Sequence, residues 1–246
     1  MTDGLLLLHA FPVDASMWSA QVDDLGRSAM VVAPNFPGFG GAPLAGSVMT
    51  MDQAADTAAE ACAAAGIDRA VVCGLSMGGY VALALWRRHR GLVTGLALAN
   101  TRAGADDDAA KDRRRGLADR LRAEGNGFIA DDPPPLLSAD APTELWQRVK
   151  DMIRIQPPEA IAAASIGMAD RPDSTGDLAG IDVPTLVITS TGDTLIPPAA
   201  TSPMAQQIPG ARLEVIDGAG HLSNLEAPAA FNRLLREHLA ACGFLL

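Results

Sequence analysis

The chain has 246 residues, 48% of them hydrophobic and 20% charged, with a net charge of −10 and a pI near 4.7. That length suffices for one large α/β domain with a sizeable core, and the acidity argues against nucleic acid and anionic membrane surfaces as partners. Three cysteines, Cys62, Cys73 and Cys242, cannot all pair and show no zinc-ligand spacing, so they read as small apolar residues in a reducing compartment.

The first eleven residues hold an apolar run of only four leucines and no basic region. That is neither a signal peptide nor a membrane span, and cytoplasmic residence is the expectation. Leu5–Leu8 is a continuous apolar run, as in a strand covered on both faces, with His9-Ala10-Phe11-Pro12 at its C-terminal end. Ser16–Gly26 reads as a helix with Met17, Ala20, Val22 and Leu25 inward and Gly26 as its stop. Met30–Ala33 is the next strand, and Asn35–Pro43 a Gly/Pro loop. Thr50-Met51-Asp52-Gln53 is a capping-box pattern opening a helix to Ala65 that Gly66 closes. Ala70–Cys73 is a buried strand, Gly74–Gly78 a sharp turn, and a helix runs on through Val81, Ala82 and Leu85. Leu92–Ala99 is a further strand. Strands alternating with helices predict a parallel sheet covered on both faces, with ligands at the C-terminal strand ends.

From Thr101 to about Arg171 the alternation stops. Arg102–Glu124 carries seven basic and six acidic residues with a narrow stripe of Leu117, Ala118 and Leu121, which suits a solvated helix rather than an interaction patch. Asp131–Pro135 reads as a stiff linker, and Thr143–Arg154 and Pro158–Met168 as helices. Residues 101–171 are therefore expected to form a helical cap inserted into a core made of residues 1–100 and 172–246. The alternation then resumes with a strand at Pro184–Thr189, Gly192-Asp193 at its end, and a helix over Ala199–Ile208. The last strand, Arg212–Ile216, leads to Asp217-Gly218-Ala219-Gly220-His221, and Pro228–Leu239 is amphipathic with Phe231, Leu234, Leu235, His238 and Leu239 on one face.

The turn Gly74-Leu75-Ser76-Met77-Gly78 has the G-x-S-x-G spacing of a nucleophile elbow, where small neighbours let strand and helix backbones cross while the serine is exposed. A serine hydroxyl needs a base to take its proton and a third group to hold that base. Asp193 and His221 each follow a strand and complete the order Ser76, Asp193, His221. His89 at a helix end, His238 on a core-facing stripe and His9, which precedes the serine, suit the role less well. Asp217 and Glu226 rival Asp193 but fit local hydrogen bonding or capping better. An oxyanion needs preorganised N–H donors. The amide of Met77 is one, and the second is assigned to Phe11, with Ala10 as the competing choice.

His9-Ala10-Phe11-Pro12-Val13-Asp14 with Met17-Trp18, Pro34–Gly40, Gly74–Gly79, Gly192-Asp193 with Ile196-Pro197, and Gly218-Ala219-Gly220-His221 all stand in the order of one known family. By them the chain resembles the α/β-hydrolase superfamily, and within it the compact cofactor-free esterases and lactonases grouped with 3-oxoadipate enol-lactone hydrolases and perhydrolases. The chain departs at Ala10, where the family usually has Gly, and at Asn35, where it often has Asp. Most members begin with a hairpin, whereas four residues precede Leu5 here, so a sheet of about six mostly parallel strands is expected. The resemblance implies hydrolysis of a small, largely apolar carboxylic ester or lactone through an acyl-enzyme, without metal or organic cofactor. Trp18, Phe36, Trp146, Met152 and Met168 are pocket candidates that equally suit plain packing. The same machinery serves carbon–carbon hydrolases and thioesterases, and a non-catalytic binding scaffold is the reading from another class.

Overall fold

The computed structural model describes residues 1–244. Six strands, β1 (Asp3–Leu8), β2 (Met30–Val32), β3 (Arg69–Leu75), β4 (Val93–Ala99), β5 (Thr185–Ser190) and β6 (Arg212–Ile216), form one sheet in the order β2-β1-β3-β4-β5-β6. Every pairing is parallel. Leu5–Leu8, Val71–Cys73, Leu96–Ala99 and Leu186–Ile188 are fully buried, as apolar runs must be when helices cover both faces. The edges β2 and β6 instead expose Met30, Leu213 and Val215. β1 pairs with β2 on one side and β3 on the other. The chain therefore reverses its winding between β1 and β3, and a crevice opens at their C-terminal ends.

The helices α1 (Ser19–Leu25), α2 (Met51–Ala64) and α3 (Met77–Arg88) fill the first connections. Between β4 and β5 lie α4 (Asp108–Glu124), α5 (Gly127–Asp131), α6 (Thr143–Arg154) and α7 (Pro158–Ala169). α8 (Pro198–Thr201) and α9 (Pro203–Gln207) follow β5, and α10 (Ser223–Glu226) and α11 (Pro228–Ala241) follow β6. Two glycines show which helix covers which face. A Cβ on Gly74 would lie 2.2 Å from the Gly78 carbonyl oxygen of α3, and one on Gly95 would lie 2.4 Å from Cys242 Sγ just past α11. Val71 is the partner of Gly95 and points away from the face of Gly74, so α3 and α11 sit on opposite sides of the sheet. The α2 capping box is complete: Gln53 N donates to Thr50 Oγ1 at 3.1 Å and Thr50 N to Gln53 Oε1 at 3.0 Å.

Local departures from the sequence reading have local causes. The helix expected over Ser16–Gly26 begins as a 3-10 turn at Ala15–Trp18, which rotates the following turns. Val22 is left exposed, and buried Gln21 meets Asn224 and Asn232 instead. The helix expected over Ala199–Ile208 is two helices, α8 and α9, because Pro203 has no N–H to continue α8. A five-residue helix, α5, runs into the Asp131–Pro135 linker.

One amide links the helices between β4 and β5 to two loops of the core. Gln156, between α6 and α7, donates from Nε2 to Asp14 Oδ2 at 2.8 Å and accepts at Oε1 from Gly40 N at 2.9 Å. Its own carbonyl accepts from Asn126 Nδ2 at 2.8 Å. Asn35, the departure from Asp, uses both ends of its amide: Oδ1 accepts from Ala15 N at 2.8 Å and Nδ2 donates to Gly40 O at 3.1 Å. A carboxylate could not make the second bond.

His9 and His238 are buried as neutral rings. Phe36 N donates to His9 Nε2 at 3.1 Å, so the proton sits on Nδ1, which donates to Ala10 O at 3.0 Å. Burial lowers His9 and His238 from 6.5 to about 4. The unfolded chain therefore takes up protons near pH 6.5 that the folded chain refuses until about pH 4. Stability is expected to hold above neutrality and to fall between pH 6.5 and 4, by at most about 3 kcal/mol per imidazole. Denaturant midpoints measured across that range check this. A flat profile would contradict it, and His238→Leu should remove part of the slope.

Candidate active site

Ser76 stands at the C-terminal end of β3 and the start of α3, with φ 57° and ψ −115°. A non-glycine residue held there costs about 1–3 kcal/mol. The surrounding contacts enforce it: Ser76 N donates to Ala99 O at 3.0 Å, and Thr101 Oγ1 and Gly79 N donate to Ser76 O at 2.7 and 2.9 Å. The close crossing needs glycine at 78, where a Cβ would lie 2.0 Å from the Leu8 carbonyl oxygen.

His221 follows β6 and is fully buried, and its Nδ1 lies 2.9 Å from Asp193 Oδ2. Asp193, in the turn after β5, is 2% exposed. Its Oδ1 accepts from Leu195 N at 2.9 Å and Ile196 N at 2.8 Å, and its Oδ2 also accepts from Asn100 Nδ2 at 2.9 Å. These three N–H donors fit an ionised carboxylate, which has no proton to give. Nδ1 of His221 must then carry the proton, which leaves the lone pair on Nε2. That atom is buried with no hydrogen-bond partner among the described residues.

The sequence reading overlooked Asn100. It is fully buried at the end of β4 with φ 44°. Besides Asp193 it holds Ser190 Oγ at 2.7 Å, and its Oδ1 accepts from Ser223 Oγ at 2.6 Å. Asn100 thus grips the carboxylate while the next residue, Thr101, grips the serine carbonyl. A positive-φ residue following a buried strand is the only local hint, and sequence alone does not display φ. The two rival carboxylates have other tasks. Glu226 accepts from Gly220 N at 2.8 Å and Ser138 N at 2.6 Å, bracing the turn before His221, and Asp217 accepts from Thr191 Oγ1 at 2.8 Å. Ala10 N donates to Met17 Sδ at 3.2 Å. The amides of Phe11 and Met77 make no hydrogen bond among the described residues.

Ser76 and Phe11 open on a cavity of about 430 Å³. Met168, Leu117, Leu136, Leu195 and Ile196 line its apolar part, and Tyr80, Arg102, Asp106, Arg113 and Arg114 its polar part. Of the five pocket candidates only Met168 lines it. Trp18 is buried against Phe231, ring centroids 5.8 Å apart, and Phe36 stacks on His9 at 4.2 Å. Trp146 packs half-buried against the core, and Met152 lies on the buried side of α6 with Val149 and Ile153. Those four are taken up by packing away from the cavity. The helix read as merely solvated supplies the wall in their place: Ala110, Arg113, Arg114 and Leu117 of α4 all face the cavity. Their three- and four-residue spacing puts them on one helical face, a signal present in the sequence.

Burial pushes the Asp106 carboxyl up, but the hydrogen bond from Arg171 and the charge of Arg114 outweigh it and hold the group at about 2.

The model of the alpha/beta hydrolase family matches residues 5–234. A pimeloyl-[acyl-carrier protein] methyl ester esterase of Aromatoleum aromaticum is 32% identical over 91% of this chain and 93% of its own. Among solved structures, a thermophilic esterase from Thermogutta terrifontis is 40% identical with a TM-score of 0.93, over 98% of this chain and 90% of that one. The enol-lactonase of Burkholderia xenovorans LB400 is 28% identical with a TM-score of 0.86, over 98% and 92%. With the family model spanning nearly the whole sheet and its helices, the chain belongs to the alpha/beta hydrolase family.

Proposed function

We propose that the protein is a serine hydrolase of small carboxylic esters or lactones, acting through an acyl-enzyme. The observation that carries this reading is the 2.9 Å contact of His221 Nδ1 with an Asp193 that three further N–H groups hold, in a chain whose Ser76 stands in a positive-φ elbow. Ser76 Oγ attacks the ester carbonyl while His221 Nε2 takes its proton. Asp193 holds the ring and stabilises the imidazolium. The amides of Phe11 and Met77 hold the oxyanion, each donor worth about 3–4 kcal/mol in the transition state. The tetrahedral intermediate collapses, the C–O bond breaks and the imidazolium returns the proton to the leaving alcohol. Water, deprotonated by His221, then releases the acid. Residues 101–171 act as a cap that completes the substrate cavity.

Labelling with a fluorophosphonate tests the reading. Turnover-competent protein should gain one phosphonyl group, on the peptide containing Ser76. Hydrolysis of p-nitrophenyl acetate without an adduct on that peptide would sink it.

A further inference from the structure

The cavity beside Ser76 is lined by three guanidiniums, those of Arg102, Arg113 and Arg114, and by one carboxylate, Asp106. That wall is cationic in a chain whose net charge is −10. The pairing pattern differs between the two sides of α4. On its outer side Arg115 pairs with Asp112 and Asp170, Arg120 with Glu124, and Arg122 with Asp119. Arg113, solvent-exposed at the cavity wall, makes no ion pair or hydrogen bond among the described residues. Asp106 is already shared, its fully buried carboxylate taking Arg102, Arg114 and Arg171 together. Arg171 is further satisfied by the carbonyls of Met168 and Gly104 and by the Tyr80 ring at 4.0 Å. One carboxylate cannot neutralise three guanidiniums, and the surplus faces the cavity that holds Ser76.

We propose that the substrate carries, besides its ester or lactone, an anionic oxyacid group, carboxylate or phosphate, which Arg113 binds with Arg102 and Arg114. This rests on the hydrolase reading above. The guanidinium fork matches the two oxygens of either anion. Asp106 keeps Arg102 and Arg114 extended toward the anion rather than splayed into solvent.

The test compares mono-p-nitrophenyl glutarate with its methyl ester. The wild type should show about tenfold higher kcat/KM for the charged ester, carried by KM. Arg113→Gln and Arg102→Gln should bring the ratio toward one, and Arg115→Gln on the outer side of α4 should leave it unchanged. Competition against the neutral ester separates the anions: stronger competition by glutarate assigns a carboxylate, stronger competition by phenyl phosphate a phosphate. A ratio of one or less in the wild type with no competition by either anion overturns the proposal. So does a preference that survives both cavity-side substitutions. Failure to turn over the neutral ester as well as the charged one would instead indict the hydrolase reading itself.

Discussion

Replacing Ser76 with alanine is expected to lower kcat for p-nitrophenyl esters by about 10⁴-fold or more while the melting temperature stays close to that of the wild type. The two halves of this expectation have separate origins. The hydroxyl is the only group removed, and among the described residues it holds nothing else in place: the serine's structural bonds run through its backbone N and O. Alanine inherits the same φ of 57° and the same strain, so the elbow neither relaxes nor collapses. Glycine would be a poorer control, because it would relieve the strain and raise stability while removing the hydroxyl. Initial rates and thermal melts on the two proteins check the prediction. Activity retained above about 1% would place the nucleophile elsewhere.

The second large effect is expected at Asp193→Asn, with kcat down by about 10⁴-fold. Asparagine has one oxygen where aspartate has two. The backbone amides of Leu195 and Ile196 claim that oxygen, which turns the new NH₂ toward His221 Nδ1 and Asn100 Nδ2. To accept from it, Nδ1 must give up its proton, and the imidazole then carries its proton on Nε2 and is no longer a base toward serine. Against Asn100 two donors face each other, at a cost in stability of about 1–3 kcal/mol. Rates, denaturant midpoints and the ¹⁵N shifts of the His221 ring report the three consequences together. A loss below tenfold, or an unchanged tautomer, would contradict the account.

The sheet was readable from sequence because its strands are local signals. Leu5–Leu8 and Leu186–Ile188 are unbroken apolar runs, and such runs have few alternatives when both faces are covered. The α2 capping box and the glycine that opens the elbow, Gly74, were readable for the same reason, since each is a contact between near neighbours. The cavity wall was not. Trp18 looks like a pocket aromatic until Phe231, more than 200 residues away, is placed against it. Arg113 and Arg114 look like surface charge until α4 is laid beside the crevice. Asn100 is an ordinary polar residue until β5 brings Asp193 to its side chain. In each case the missing information was the partner across the fold, which periodicity does not contain.

The sheet order bears on how the molecule is assembled during synthesis. β1 cannot be seated by its neighbour in the chain alone, because its second partner, β3, begins at Arg69. β4 ends at Ala99 and waits for β5 at Thr185, with α4 to α7 emerging in between. Pairings of such long range form late and slowly, since the loop must close before contacts reward it. A ribosome that has just released α7 has therefore exposed a chain with the Ser76 turn but neither Asp193 nor His221. The elbow's strain has to be borne through that interval without the network that later holds Asp193 and His221. Under the proposed triad, ester hydrolysis reports the last act of folding, the docking of β5 and β6, rather than the first.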